Sequence, residues 1–250
     1  MNQYVKNLKR IEFVVTYACT GRCKHCSEGS HSSSGAYIAP EVAARAVRQV
    51  ASRFSIASVM TFGGEPLLCP ETVYAAHSAA AKAGVARRQL ITNGFFSRDS
   101  GKIRDVAQGL ARAGVNDILL SVDAFHQETI PLEPVMEFAE AAAGLGVRVR
   151  AHPAWVVSRA HENPYNRRTA EIVVEFEKMG IFQSNGNNIV PIGNAKKYLS
   201  GYYDADMDYT DPYEEDPADI RAVCIDPDGK MLGGNIYRTD ILKILEDYAP

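Results

Sequence analysis

The chain reads as an α/β protein built around a parallel sheet. Three observations predict this. Short apolar segments alternate with helical stretches about six times along the 250 residues. Each apolar segment is nearly continuous in Val, Ile or Leu, as strands buried on both faces are. The intervening stretches carry helix start and stop signals, and strand–helix alternation implies right-handed parallel crossovers. This pattern fits an open doubly wound sheet and an incomplete barrel equally well.

The strands are expected at Ile11–Ala18, Ser58–Phe62, Arg88–Thr92, Asp117–Val122, Val147–Ala151 and Asn188–Ile192. Pro40-Glu41 opens the first helix, in which Val42, Ala46, Val50 and Phe54 recur at four-residue spacing and share a face. Pro70-Glu71 opens the next, and Asn163-Pro164 reads as an N-cap followed by proline at the first helical position. Gly84, Gly114, Gly144 and Gly180 stand where helices should end. The acidic, tyrosine-rich stretch over 202–216 reads as a solvated loop. Beyond it, Ala222–Ile225, the turn Asp226-Pro227-Asp228-Gly229 and Lys230–Leu232 predict a β-hairpin, and a final helix is expected over about Thr239–Asp247.

Composition narrows the class. Lys and Arg number 27 against 30 Asp and Glu, so no basic excess argues for nucleic acid. With 46% apolar and 23% charged residues the chain is neither disordered nor collagen-like. No window reaches the ~18 apolar residues of a transmembrane helix, and no signal-peptide pattern opens the chain, so no membrane partner and a cytoplasmic location are expected. Thiols there stay reduced, and clustered cysteines are then metal ligands or redox groups rather than disulfides.

The sharpest motif follows the first strand: Cys19-Thr20-Gly21-Arg22-Cys23-Lys24-His25-Cys26. Three thiolates at these spacings can converge from one loop, and Gly21 relieves a tight wrap. A zinc site would take a fourth ligand, for which His25 is adjacent. A four-iron cluster on three cysteines would leave one iron open to a small molecule.

This loop resembles the signature of the radical S-adenosylmethionine (radical SAM) enzymes, Cys-x3-Cys-x2-Cys. The resemblance implies that Cys19, Cys23 and Cys26 bind one 4Fe–4S cluster whose fourth iron is chelated by S-adenosylmethionine. One electron then cleaves the sulfonium to methionine and a 5′-deoxyadenosyl radical, which takes hydrogen from the substrate. Gly63-Gly64-Glu65-Pro66, after the second strand, resembles the family's GGEP motif at the cofactor's amino group. Ile91-Thr92-Asn93-Gly94 resembles its TNG segment. Ser121-Val122-Asp123 resembles the position that meets the ribose or methionine, and Val190–Ala195, with Ile192 and Gly193, the loop that holds the adenine. His25 stands where the family has an aromatic residue beside the adenine. All these motifs fall at carboxyl ends of expected strands, where parallel barrels place their active sites. The implied fold is a partial (β/α)6 TIM-like barrel over 1–200, with a short C-terminal β-hairpin and helix extension over 201–250 that is not an independent domain.

That extension resembles the SPASM or twitch tail of family members that carry further clusters and modify peptides. It lacks the extra cysteines, since only Cys224 of the five is present, so a single cluster is expected and Cys224 reads as a small buried hydrophobe. At the barrel rim, His152, Asp123 and Cys69 are candidates for catalytic contacts, with Trp155, Asn185, Asn188 and the Phe125-His126 pair near the substrate. Arg150 either meets a substrate anion or pairs with a carboxylate such as Glu12. The resemblance implies an electron donor such as flavodoxin or ferredoxin, and a peptide or protein substrate. A small metabolite or nucleotide, a glycyl-radical enzyme to be activated, and a non-catalytic iron–sulfur or zinc module are the competing readings.

Overall fold

The computed structural model of the chain describes residues 2–31, 35–204, 209 and 214–250. Asp206, Asp208, Asp211 and Tyr213 of the acidic loop lie outside the described residues.

The expected alternation is present. Strands β1 (Arg10–Val14), β2 (Ser58–Phe62), β3 (Arg87–Thr92), β4 (Asp117–Leu120) and β5 (Arg148–Ala151) pair in parallel, each with the next. The crossovers run through α1 (Pro40–Arg53), α2 (Pro70–Lys82), α3 (Ser100–Ala113), the single turn α4 (Ala124–Gln127) and α5 (Leu132–Gly144). Alternate strand residues such as Ile11, Phe13, Val59, Leu90, Ile118 and Leu120 point under these helices and meet Val47, Val73, Leu110 and Phe138 in one continuous core. Each such fully buried side chain contributes about 1.5–3 kcal/mol. The helix ends follow local chemistry: Asp99 caps α3 by accepting from the Lys102 N–H at 2.7 Å, and Gly114 ends it at φ 84°. Gly144 lies inside α5, and Gly146 at φ 80° makes the turn instead.

The opposite strand face lines the barrel. Asp117 there accepts three hydrogen bonds from the Arg150 guanidinium, from Nε at 3.0 Å and from Nη2 at 2.7 and 2.9 Å, and one from Gln89 at 2.8 Å. Arg150 thus meets a carboxylate, but not that of Glu12, which pairs with Arg10 at 3.1 Å.

Two strands differ from expectation. Pro153 cannot continue β5, so the chain restarts as β6 (Ala154–Val156). After α6 (Pro164–Lys178), capped by Asn163, strand β7 (Asn187–Ile189) pairs in parallel with β6 rather than with β5. A short helix α7 (Gly193–Tyr198) follows. The tail segment β8 (Ala222–Ile225) is no hairpin arm. It pairs in parallel with β1 and is the sixth strand of the main sheet, whose order is β5-β4-β3-β2-β1-β8. The hairpin lies one step later, between β9 (Lys230–Met231) and β10 (Gly234–Asn235), and helix α8 (Ile241–Asp247) closes the chain. No helix among the described residues is long and apolar enough to cross a membrane.

Candidate active site

The carboxyl ends of the strands enclose a cavity of about 280 Å³. Of the residues singled out from sequence, Cys19, Cys23, Cys26, His25, Gly63, Gly64, Thr92, Asn93, Ser121 and Ile192 line it. His126 and Asn188, also expected from sequence near the substrate, line it too, and His31 and Asn187 join them.

The cysteine loop is held from several sides. Gly63 and Gly64 press against its entry: a Cβ on Gly64 would stand 2.1 Å from the Ala18 carbonyl oxygen, and one on Gly63 would stand 2.5 Å from that of Thr16. The Gly64 N–H donates to Thr16 and the Glu65 N–H to Ala18, both at 2.7 Å. These glycines are therefore required by backbone meeting backbone. From β3, Asn93 Nδ2 donates to Thr20 Oγ1 at 3.2 Å and reaches Cys19 Sγ at 3.6 Å. The Gly21 N–H donates to the same sulfur at 3.3 Å. From the far side, Asn194 Nδ2 donates to the Cys23 and Gly29 carbonyls at 3.0 and 3.1 Å, and its N–H donates to that of Cys26 at 2.9 Å. Gly193 permits this docking, since a Cβ there would meet Ser27 O at 2.1 Å.

Burial pushes the Cys19 thiol up to about 11 and that of Cys26 upward as well. Backbone N–H groups of Glu28 and Gly29 work the other way at Cys26. A thiol so held needs a cation to give up its proton.

Several predicted contacts turn away from the cavity. The fully buried Glu65 braces two strand ends: Oε1 accepts from the Leu67 N–H and the Thr92 hydroxyl at 2.8 and 2.6 Å, and Oε2 accepts from the Asn93 N–H at 2.8 Å. Burial raises its carboxyl to about 7 against those three hydrogen bonds. Pro66 opens the short 3-10 turn beyond it and is buried. Asp123 is also fully buried. One oxygen accepts from the Phe125 and His126 N–H groups at 3.0 Å, and the other lies 2.8 Å from His126 Nδ1 and 3.2 Å from the Ala154 nitrogen. Burial opposes charge on both partners. Their mutual attraction wins, holding Asp123 well below the carboxylate range and His126 above that of histidine.

His25 stacks near Phe125 and His126, with ring centroids 5.0 Å from each. Burial lowers it to about 4, so it is neutral, and its Nδ1 has no partner. His152 bonds Ser184 Oγ at 2.7 Å and does not line the cavity. Trp155 is 3% exposed and lies under the Arg159 guanidinium, away from the cavity. Cys69 packs on the main core at the start of α2, Asn185 does not reach the cavity, and Cys224 is exposed rather than buried. Asn194 stands in the Val190–Ala195 motif, but its role as a clamp on the cysteine loop has no signal there, and the nearness of His31, whose Nε2 is 2.9 Å from Cys26 Sγ, has none beyond loop proximity.

This arrangement has counterparts among known proteins. The model of the Radical SAM superfamily matches residues 13–158, more than half of the chain, and the chain belongs to that superfamily. Its members are enzymes that use a 4Fe–4S cluster and S-adenosylmethionine together with a reductant. The chain is 25% identical over 205 residues to a probable GTP 3′,8-cyclase of Saccharolobus solfataricus, covering 78% of this chain and 62% of that protein. It is 35% identical over 113 residues to the GTP 3′,8-cyclase of Mycolicibacterium smegmatis, covering 44% and 30%. The chain thus spans less than two thirds of the length of either relative. In three dimensions it is similar to Streptococcus suis SuiB bound to S-adenosylmethionine, with a TM-score of 0.63 at 12% identity over 98% of this chain and 67% of that one. It is also similar to anSMEcpe with bound AdoMet, with a TM-score of 0.58 at 15% identity over 96% and 80%. At these identities the likeness is one of fold.

Proposed function

We propose that Cys19, Cys23 and Cys26 hold one 4Fe–4S cluster, beside which this chain binds S-adenosylmethionine and presents a substrate C–H bond. The observation that carries the reading is the convergence of three thiols on one cavity, with backbone N–H donors aimed at the Cys19 and Cys26 sulfurs. The donor set fits the group: thiolates are the usual ligands of such clusters, and hydrogen bonds to their sulfurs tune them. Among the described residues, the three cysteines are not a group whose donors all lie within 4.8 Å of one another, a spread that suits a cluster better than a single ion.

Bound together, the two cofactors supply reductive cleavage of the sulfonium and hence a carbon radical able to take hydrogen from a C–H bond. The chain's own residues then have distinct tasks. Asn93, Gly21 and Asn194 hold the cysteine loop in register with the strand ends. Gly63, Gly64, Thr92, Ser121 and Ile192 line the wall that would receive S-adenosylmethionine, and the His25 ring would be available to its adenine. Glu65, Pro66 and Gly193 act as supports, and Asp123 acts through His126. The buried surroundings exclude water from the reacting centre. Flavodoxin or ferredoxin is the proposed class of electron donor, and the cytoplasm the proposed location.

The substrate is proposed to be a peptide or protein. The tail that resembles SPASM or twitch supports this, as does the fold likeness to SuiB, one structure of which holds its precursor peptide SuiA at a TM-score of 0.64. A nucleotide is the second reading, favoured by the two relatives named as GTP cyclases. The test is anaerobic reconstitution with iron and sulfide, followed by dithionite and S-adenosylmethionine. 5′-Deoxyadenosine should form in the wild type and not in Cys23→Ala; its absence from the reconstituted wild type refutes the reading. Stimulation of that product by GTP would select the nucleotide substrate.

A further inference from the structure

A second metal chemistry is built into the same wall. A ring nitrogen of His25, a ring nitrogen of His126 and Cys23 Sγ all lie within 4.8 Å of one another, the only such trio of His, Cys, Asp or Glu donors found among the described residues. Tetrahedral zinc bonds of ~2.0–2.1 Å to nitrogen and ~2.3 Å to sulfur place donors about 3.3–3.6 Å apart, so closing the trio takes at most a side-chain shift of roughly 1–1.5 Å. Two further features point to a ligand. His25 Nδ1 is buried with no hydrogen-bond partner, a state that is costly in an occupied protein interior. His126 Nδ1 is held at 2.8 Å by Asp123 Oδ2, the carboxylate–histidine pairing that orients imidazoles on metals. Asp123 is itself fixed by three backbone N–H groups, so the second ring nitrogen of His126 is aimed by the fold.

The geometry points to Cys23, His25 and His126 as a mononuclear site for a borderline divalent ion, Zn²⁺ above all, in the chain that lacks its cluster. The site shares Cys23 with the proposed cluster, so ion and cluster exclude each other. Binding forms one metal–sulfur and two metal–nitrogen bonds and releases to solvent the Cys23 thiol proton and the proton on the His126 ring nitrogen that faces away from Asp123, with no change of oxidation state. A water completes the fourth position. Zn²⁺ is favoured over Fe²⁺ on such N/S donors. The inference does not depend on catalysis, because it concerns the cluster-free chain.

Cobalt(II) is the probe, added anaerobically to the 250-residue chain after chelator treatment and reduction. One Co²⁺ per chain should give a thiolate-to-cobalt charge-transfer band, and Zn²⁺ should bleach it. His25→Phe keeps the ring stack on Phe125 and removes the nitrogen; His126→Gln keeps a polar group toward Asp123. Each should weaken cobalt binding by about tenfold or more, as loss of a ligand or its support does, with circular dichroism confirming the fold. Cys19→Ser and Cys26→Ser, which lie outside the trio, should change affinity less than about twofold. Zinc-loaded wild type should take up iron and sulfide more slowly than the metal-free chain. Absence of the band in the wild type overturns the inference, and so does a loss in Cys19→Ser or Cys26→Ser equal to that in His126→Gln. Failure of the metal-free chain to assemble a cluster would count against the proposed function instead.

Discussion

Gly64→Ala tests how the active-site loop is built. The added Cβ would stand 2.1 Å from the Ala18 carbonyl oxygen, 2.6 Å from its carbon and 2.8 Å from Tyr17 O, all backbone atoms. Relief to an ordinary contact of about 3.4 Å requires the two loops to part by roughly 1.3 Å. That separation breaks the Gly64–Thr16 and Glu65–Ala18 hydrogen bonds, both 2.7 Å. Two buried backbone bonds at about 0.5–1.5 kcal/mol each, plus about 1–2 kcal/mol of overpacking, give a loss of about 2–5 kcal/mol. For a chain of this size that lowers Tm by about 4–20 °C. The assay is thermal unfolding of the anaerobic protein by circular dichroism, with iron content after reconstitution measured on the same sample. Gly144→Ala is the control: nothing lies within 4 Å of its Cβ and it sits inside α5, so it should hold or slightly raise Tm. A Gly64→Ala protein with unchanged Tm and full iron would refute the argument that backbone approach, rather than ligand contact, dictates this glycine.

The other predictions concern the supports of the site. Glu65 keeps its proton up to about pH 7 in the fold against an ordinary value near 4.5, so the folded chain binds the extra proton between those values and stability falls by about 3 kcal/mol as pH rises through that window. Urea midpoints across that range should show this slope in wild type and lose much of it in Glu65→Gln. Asp123→Asn breaks a buried charged pair and should cost about 3–5 kcal/mol in urea unfolding; a loss below 1 kcal/mol would show that the pair is dispensable. Asn194→Ala frees the Cys23 and Gly29 carbonyls. Its iron should be stripped by a chelator several-fold faster than that of wild type, with Tm lowered by only a few degrees.

Much of this architecture is legible in the sequence because its signals are local. Short apolar runs mark β2 and β4, proline marks the starts of α1, α2 and α6, and Asn163 caps α6 as its residue type suggests. The cysteine loop is legible because its spacing alone brings the thiols together. The partners of a strand are not local. Ala222–Ile225 reads as an apolar run, but nothing in it says that β1 leaves an edge open for a parallel strand. Side-chain direction is hidden in the same way. Glu65 carries a charge that suits a cofactor ammonium, yet three donors from Leu67, Thr92 and Asn93 draw it inward. Asp123 is claimed by α4 as its N-cap. Trp155 follows Pro153, which restarts the strand with Ala154 on the cavity wall and the indole on the other side.

The central claim is that Cys19, Cys23 and Cys26 carry one cluster with an iron open to S-adenosylmethionine. Electron paramagnetic resonance of the reconstituted, dithionite-reduced chain, recorded before and after addition of S-adenosylmethionine, tests it most directly. One such cluster gives about four irons per chain, a signal whose g-values shift on addition of the cofactor, and loss of that signal in Cys19→Ala. A signal unmoved by S-adenosylmethionine, or one that persists in Cys19→Ala, would contradict it.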